Sequence, residues 1–222
     1  EIGPDSNRTA LDSTAYFARS GLMEWAKTDD TEGIPPFPIP GGGDHPTGLS
    51  LFTSVLLALI NREKTGMGTT VSTSLLANGI WSNAMLVQAL LAGHKPIDTF
   101  HWNNISAMRN IYYLKDKSLF FMFLTNEEKH WDPFIKSFNL EYLHKDKKFN
   151  TKDNRQLNKK LLKSILQKKF IELTYEEVRE KFVEIGIVFT KIMKTADTIN
   201  DPQTNLNNMF MNIQGELIKD LK

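Results

Sequence analysis

The chain has 222 residues, 41% of them hydrophobic and 24% charged, which is enough apolar material for one large domain with its own core. Its formal net charge of +1 argues against a protein that binds nucleic acid by neutralising phosphates. It has no cysteine, which excludes disulfides, thiol catalysis and cysteine-ligated zinc. Its histidines lack metal-site spacing and no uninterrupted apolar run is long enough to span a bilayer, so we expect neither a metal nor a membrane span.

The beginning of the sequence and the absence of cysteine bear on targeting and on the cellular compartment. Its first residues are polar and acidic, unlike the cationic start and apolar centre of a signal peptide. The chain does not begin with methionine, so we expect a piece of a longer protein or a processed product. The absence of cysteine fits a reducing compartment. We therefore expect a cytoplasmic protein, with mitochondria and peroxisomes as alternatives.

The first part of the chain is predicted to be helical, with one long loop. A short amphipathic helix is predicted over 12–26, with Asp12 at its N-cap. The proline- and glycine-rich residues 27–49 predict an extended loop. Two strongly apolar helices follow over 49–63 and 73–92. The first is apolar on nearly all sides, which predicts deep burial.

A change of pattern at His94 predicts a second region. Alternating apolar residues on either side of a polar turn at 115–118 predict a β-hairpin. Further elements are predicted beyond it: helices over 127–139, 151–168, 174–185 and 195–200, and strands over 187–192 and 209–213.

Taken singly, the candidate functional residues are weak signals. An aspartate at a helix start such as Asp12 is most often a cap, held by free backbone N–H groups. The run Gly41–Asp44 before a helix could hold a phosphate, but it lacks the spacing of a P-loop, so a flexible turn is favoured. The pair Glu127–Glu128 is typical of the first turn of a helix rather than of an acid–base pair.

The order of these signals is more specific than any one of them. The series runs Asp12; Ala15, Ala18, Ser20, Gly21 and Leu22; Pro35 or Pro36; Gly43, Asp44 and His45; and then Arg62, Lys64, Thr65, Gly66 and Gly68 after an apolar helix. It resembles the middle of the family III CoA-transferases, also called the CaiB/BaiF family, most strongly over residues 8–92. This resemblance implies an α/β fold, with a partial Rossmann-like large domain followed by a smaller α+β domain. The implied ranges are 1–93 for the large domain, 94–185 for the small domain and 186–222 for a segment returning toward the large one.

The resemblance also implies a reaction. Asp12 would be the nucleophile that attacks an acyl-CoA thioester, and a supporting loop would lie beside it, formed by Gly42, Gly43, Asp44 and His45. The implied substrates are an acyl-CoA and a carboxylic acid, with coenzyme A as part of the substrate and no permanently bound cofactor. The main CoA-binding residues would lie upstream of Glu1. The implied assembly is an interlocked homodimer.

Two departures leave alternatives open. Most family members have glycine and an aromatic residue or histidine before the aspartate, where this chain has Ala10 and Leu11. The region 103–110 has no glycine, although a glycine-rich flap covers the active site in some members. A 2-methylacyl-CoA racemase is one alternative, with Glu127 near the position of a second acid. A truncated, inactive homologue that serves as an interaction module is another.

Overall fold

The structure is a computed structural model that describes residues 2–27, 33–95 and 105–210. The chain divides into two compact units, unit 1 over residues 1–104 and unit 2 over residues 105–222. Helices predominate, and the strands of the described residues form one small antiparallel sheet in unit 2. The mixed α/β class is as predicted, whereas the Rossmann-like layout of a larger domain stays a prediction.

Unit 1 contains helices joined by turns and extended segments. They are α1 (Asp12–Ala18, a π-helix), α2 (Leu22–Trp25), α3 (Asp44–Thr65), α4 (Leu75–Ser82) and α5 (Ala84–Leu91). The single helix predicted over 12–26 is divided because Gly21 adopts a left-handed φ of 84°. The single helix predicted over 73–92 is divided at Asn83, whose side-chain amide donates a hydrogen bond to the carbonyl of Ser20.

The long helix α3 begins at Asp44, earlier than the predicted start at Leu49. Pro46 lies in its first turn, where the N–H that proline lacks would have no helical partner. The helix ends at Thr65, two residues beyond the predicted end, and Gly66, with a left-handed φ of 72°, closes its last turn.

The prediction that this helix is deeply buried is wrong within the described residues. None of its residues is buried, and Leu49 and Leu57 are 65% and 62% exposed. The reason is that Tyr16 is the only buried hydrophobic residue among the described residues of unit 1, so that part of the chain offers α3 no core. In the part of the chain that the structure describes, no helix combines the length and the apolarity needed to cross a bilayer.

Unit 2 packs helices around a three-stranded antiparallel sheet of order β1-β2-β3. Its strands are β1 (Arg109–Tyr113), β2 (Leu119–Phe123) and β3 (Val188–Lys191). Its helices are α6 (Glu127–Ser137), α7 (Tyr142–Lys145), α8 (Lys152–Leu157), α9 (Lys159–Phe170), α10 (Tyr175–Ile185), α11 (Thr195–Thr198) and α12 (Pro202–Leu206). The predicted hairpin is confirmed, with Tyr112 opposite Phe120. The helix predicted over 151–168 is divided at Asn158 into α8 and α9.

Aromatic rings fill the core of unit 2. Phe120 and Phe170 meet edge to face at 5.0 Å between ring centroids, and Phe138 meets Phe182 in the same way at 5.4 Å. All four side chains are essentially inaccessible to solvent. Edge-to-face contacts add to the stabilisation that burial of each ring supplies.

The end of the chain was assigned by resemblance to a segment returning toward the large domain over 186–222. Part of that segment, Val188–Lys191, pairs with β2 and belongs to the sheet of unit 2. The course of the remaining residues stays a prediction. The predicted strand over 209–213 lies mostly outside the described residues.

A buried ion pair connects α6 and α8. The Nε of Arg155 donates to Oε2 of Glu127 at 3.0 Å, and the two side chains are 5% and 12% exposed. Arg155 also donates to the carbonyl of Phe149 at 3.0 Å and lies 4.3 Å above the ring centroid of Trp131. The hydroxyl of Ser106 donates to the other carboxylate oxygen of Glu127 at 3.3 Å. Each buried charge therefore has partners that compensate for the loss of water.

Replacing Arg155 with alanine should lower the free energy of unfolding by about 3–5 kcal/mol, because Glu127 would keep a buried charge without its partner. Urea unfolding followed by circular dichroism measures this change. The control is Arg179→Ala, which breaks an exposed pair with Glu176 and should cost less than about 1 kcal/mol. Equal losses in the two variants would contradict the importance of the buried pair.

Candidate active site

The start of α1 leaves the carboxylate of Asp12 without a capping role. Leu11, in an extended conformation with φ −124° and ψ 171°, occupies the N-cap, so Asp12 is the first helical residue rather than the predicted cap. The hydroxyl of Thr14 accepts the N–H of Leu11 and donates to its carbonyl, both at 3.0 Å. The hydrogen bonds that close this helix end therefore come from Thr14, and the Asp12 side chain can make contacts elsewhere.

The Asp12 side chain contacts the glycine-rich turn. Its Oδ2 accepts a hydrogen bond from the backbone N–H of Gly43 at 3.4 Å, across 31 residues of sequence. Asp12 is half-buried, neither enclosed in hydrocarbon nor fully open to solvent. The structure thus brings the predicted nucleophile and the predicted supporting loop together.

The close approach of this turn to α1 requires glycine. A Cβ on Gly43 would lie 2.6 Å from the Cγ of Tyr16, and one on Gly42 would lie 3.1 Å from the Cζ of Phe17. Gly41 has a φ of 75°, which other residues rarely adopt. These positions let the backbone of the turn lie directly on the side chains of α1.

Asp44 and His45 follow the turn and form the first residues of α3. The N–H of His45 donates to the carbonyl of Gly41 at 3.0 Å, and the hydroxyl of Thr47 donates to the carbonyl of Gly43 at 2.8 Å. Both Asp44 and His45 are exposed, and the Asp44 carboxylate has no hydrogen-bond partner among the described residues. It sits at the N-terminus of a 22-residue helix, where the helix dipole favours negative charge.

The opposite side of α1 is held by α4. The hydroxyl of Tyr16 and the Oγ of Ser82 are 2.6 Å apart, and the hydroxyl of Ser20 donates to the carbonyl of Tyr16. The side-chain amide of Asn83 donates to the carbonyl of Ser20 at 3.0 Å. Gly79 faces this contact, because a Cβ there would lie 2.8 Å from the Cβ of Ser20. Helix α1 is therefore fixed between α4 and the glycine turn.

A separate cavity of about 970 Å³ lies in unit 1. It is lined by residues 2–10 in part, by Thr14, Ala15, Ala18 and Arg19 of α1, and by residues 73–76. Its volume is in the range of small-molecule sites. Asp12 and the glycine turn do not line it, so it is distinct from the contact between Asp12 and Gly43.

The chemistry that this arrangement offers is that of a carboxylate beside the backbone N–H of Gly43. Among the described residues, no three of the metal-binding side chains cluster as they would around an ion. The Asp12 carboxylate accepts the N–H of Gly43, and Asp44 is the residue that follows Gly43 in the chain. The sequence predicted Asp12 as the reactive group and Asp44 as part of a supporting loop. It missed Tyr16 and Ser82, because a hydroxyl pair separated by 66 residues leaves no local pattern.

Comparisons with known proteins agree with the resemblance found in the sequence. The (R)-2-hydroxy-4-methylpentanoate CoA-transferase of Clostridioides difficile is 29% identical over 211 residues, which are 95% of this chain and 52% of that protein. The cinnamoyl-CoA:phenyllactate CoA-transferase of Clostridium sporogenes is 27% identical over 212 residues, 93% of this chain and 50% of that protein. The chain thus spans about half the length of these curated relatives.

A solved structure supports the fold. A CaiB/BaiF family protein from Brucella suis superposes with a TM-score of 0.83 at 22% identity, covering 99% of this chain and 57% of that one. The family model described as CoA-transferase family III matches residues 1–221. A match over nearly the whole sequence identifies the family, and the chain therefore belongs to CoA-transferase family III.

Proposed function

We propose that the complete protein moves CoA from an acyl-CoA to an acceptor carboxylate through an aspartyl intermediate. The observation that supports this most is the contact between the Asp12 carboxylate and the N–H of Gly43, next to the start of α3. A carboxylate held in place by a backbone N–H can attack a thioester as a covalent catalyst, and N–H groups at the nearby start of α3 could stabilise the resulting oxyanion. Coenzyme A is then part of the substrate, and no permanently bound cofactor is required.

The reaction proceeds in balanced steps. The aspartate carboxylate attacks the thioester carbonyl of the acyl-CoA, which forms a mixed anhydride and releases CoA thiolate. The thiolate attacks the aspartyl carbonyl, which forms an aspartyl-CoA thioester and frees the donor acid. The acceptor carboxylate then attacks this thioester, forming a second anhydride and releasing the thiolate. The thiolate finally attacks the acyl carbonyl of the acceptor, which yields the new acyl-CoA and the free aspartate.

Two aspartates compete for the role of nucleophile. Asp12 is the residue predicted from the sequence, and one of its oxygens already accepts a hydrogen bond. Asp44 is more exposed, has no such partner among the described residues and lies at the N-terminus of a long helix. A nucleophile must be reached by a large thioester, so the greater exposure of Asp44 is the reason to test it beside Asp12. We retain Asp12 as the predicted nucleophile and propose Asp44 as its rival.

A homodimer is part of this proposal. Helix α3 exposes a continuous set of large apolar side chains, among them Leu49, Phe52, Leu57 and Ile60. We expect an apolar surface of this kind to be buried against a second copy of the protein or against the rest of the chain. The interlocked arrangement expected from the family would provide such cover.

The racemase alternative is less well supported. It needs a second acid or base that can exchange a proton with the substrate. Glu127, the candidate for that group, is mostly buried, and its carboxylate accepts hydrogen bonds from Arg155 and Ser106. These contacts give Glu127 a structural role. If the next experiment detects no transfer, the result would favour the alternative of an inactive homologue that serves as an interaction module.

The two aspartates can be tested by trapping in the complete protein. Acyl-CoAs and acids named for the clostridial relatives are suitable first substrates. Hydroxylamine should modify one aspartate in the presence of acyl-CoA, because it attacks anhydrides and thioesters. Replacing the nucleophilic aspartate with asparagine should abolish trapping and reduce transfer by at least about a thousandfold, because the covalent route is lost.

The variants are Asp12→Asn and Asp44→Asn, with Asp197→Asn, an exposed carboxylate in unit 2, as the control. Mass mapping of the trapped peptide identifies the reacting residue. Loss of trapping only in Asp12→Asn supports the original prediction, and loss only in Asp44→Asn supports its rival. Normal trapping in both variants would exclude both, and no trapping in the unaltered protein would refute the proposed reaction.

Replacing Gly43 with alanine should impair transfer by about a hundredfold, because its Cβ would meet the ring of Tyr16 at 2.6 Å and push the turn away from Asp12. Steady-state assays of the complete protein measure this change. The comparison is Gly68→Ala, whose Cβ would have no described atom within 4 Å. Unchanged transfer in Gly43→Ala would show that the close contact has no catalytic importance.

A further inference from the structure

Tyr16 connects three parts of unit 1. It is 5% exposed, and its ring meets that of Phe17 edge to face at 4.9 Å between centroids. The side chain packs directly against Gly43. A Cβ added at Gly43 would lie 2.6 to 2.9 Å from the Cβ, Cγ and Cδ1 atoms of Tyr16. At the far end of the ring, the hydroxyl reaches Ser82 at 2.6 Å. The hydroxyl of Tyr16 is therefore fixed by Ser82, while its Cβ and Cγ atoms pack against the glycine turn.

We propose that Tyr16 is a positioning residue for the transfer reaction, and that its hydrogen bond to Ser82 sets the place of Gly43. Gly43 donates its N–H to Asp12 and immediately precedes Asp44, so the position of the turn determines the placement of both carboxylates. This inference rests on the proposed function. It holds whichever of the two aspartates is the nucleophile.

The contacts give the hydroxyl a role apart from packing. Phenylalanine at position 16 would fill the same apolar space, so burial of the ring would be kept. It would lose only the bond to Ser82, which is the link between the ring and the end of α4. The segment that follows α1 would stay attached to the end of α4, because the hydrogen bond from Asn83 to the carbonyl of Ser20 does not involve the tyrosine hydroxyl. The ring alone would then be free to tilt against the turn.

A tilt of the ring has a direct consequence for the reaction. The turn touches the ring without any intervening side chain, so displacement of the ring shifts Gly43. Misplacement of a reacting group by a fraction of an ångström to an ångström can cost ten- to a hundredfold in rate. The cost falls on the chemical step, since no atom of Tyr16 needs to contact CoA.

The test uses the complete protein with Tyr16→Phe, Ser82→Ala and the double variant. We expect each single variant to lower kcat and the rate of hydroxylamine trapping by about tenfold, with KM for the acyl-CoA within about twofold. The double variant should be no worse than either single variant, because both remove the same bond. Ser82→Thr keeps a hydroxyl and should restore most of the rate. Tyr113→Phe, which alters an exposed tyrosine of unit 2, is the control and should match the unaltered protein.

The outcomes separate this inference from the proposed function. Failure of the unaltered protein to trap would refute the proposed function and the positioning role with it. Normal trapping in the unaltered protein together with normal rates in Tyr16→Phe would refute the positioning role alone. Additive losses in the double variant, or a raised KM at unchanged kcat, would also overturn it. If Tyr16→Phe fails to fold by circular dichroism, Ser82→Ala, Ser82→Thr and the control carry the test.

Discussion

The contact between the glycine turn and α1 is the constraint on which the candidate site depends. Through it, a carboxylate near the start of the chain meets a backbone N–H that lies 31 residues later. The contact exists only because the turn has no side chain at Gly43 and because Tyr16 presents its ring there. Fixing backbone in this way costs conformational entropy, which the hydrogen bonds of α1 to α4 help to offset. The site is thus formed by packing of backbone on an aromatic ring rather than by a cluster of charged groups.

The two units differ in how they are stabilised. Unit 2 has a buried aromatic core, a sheet with continuous pairing and an ion pair whose charges are compensated. Unit 1, among its described residues, has a single buried hydrophobic side chain and a long helix whose apolar residues face solvent. An apolar helix without cover is unfavourable in water. This contrast agrees with a chain that spans about half the length of its curated relatives.

Much of the local structure could be predicted from the sequence. The hairpin follows from alternating apolar residues and a turn in which Asp116 accepts hydrogen bonds from the hydroxyl and N–H of Ser118, contacts that also lower the pKa of its carboxyl. Helix α10 follows from Thr174 and Glu177, which cap each other, and the hydrogen bonds from Thr174 hold the pKa of Glu177 below its usual value. The order of glycines, prolines and aspartates was enough to indicate the family, which the match over residues 1–221 then identified.

By itself, then, the sequence determined the approximate place of many of the elements, such as the hairpin and α10, and indicated the family, because capping and periodicity act over a few residues. Tertiary structure alone decided where the helices over 12–26 and 73–92 divide, which surface of α3 lacks cover and which backbone group meets Asp12. It also decided that Tyr16 and Ser82 touch. These features depend on contacts between residues far apart in the chain, and the distance between two such residues is not encoded in the local pattern around either of them.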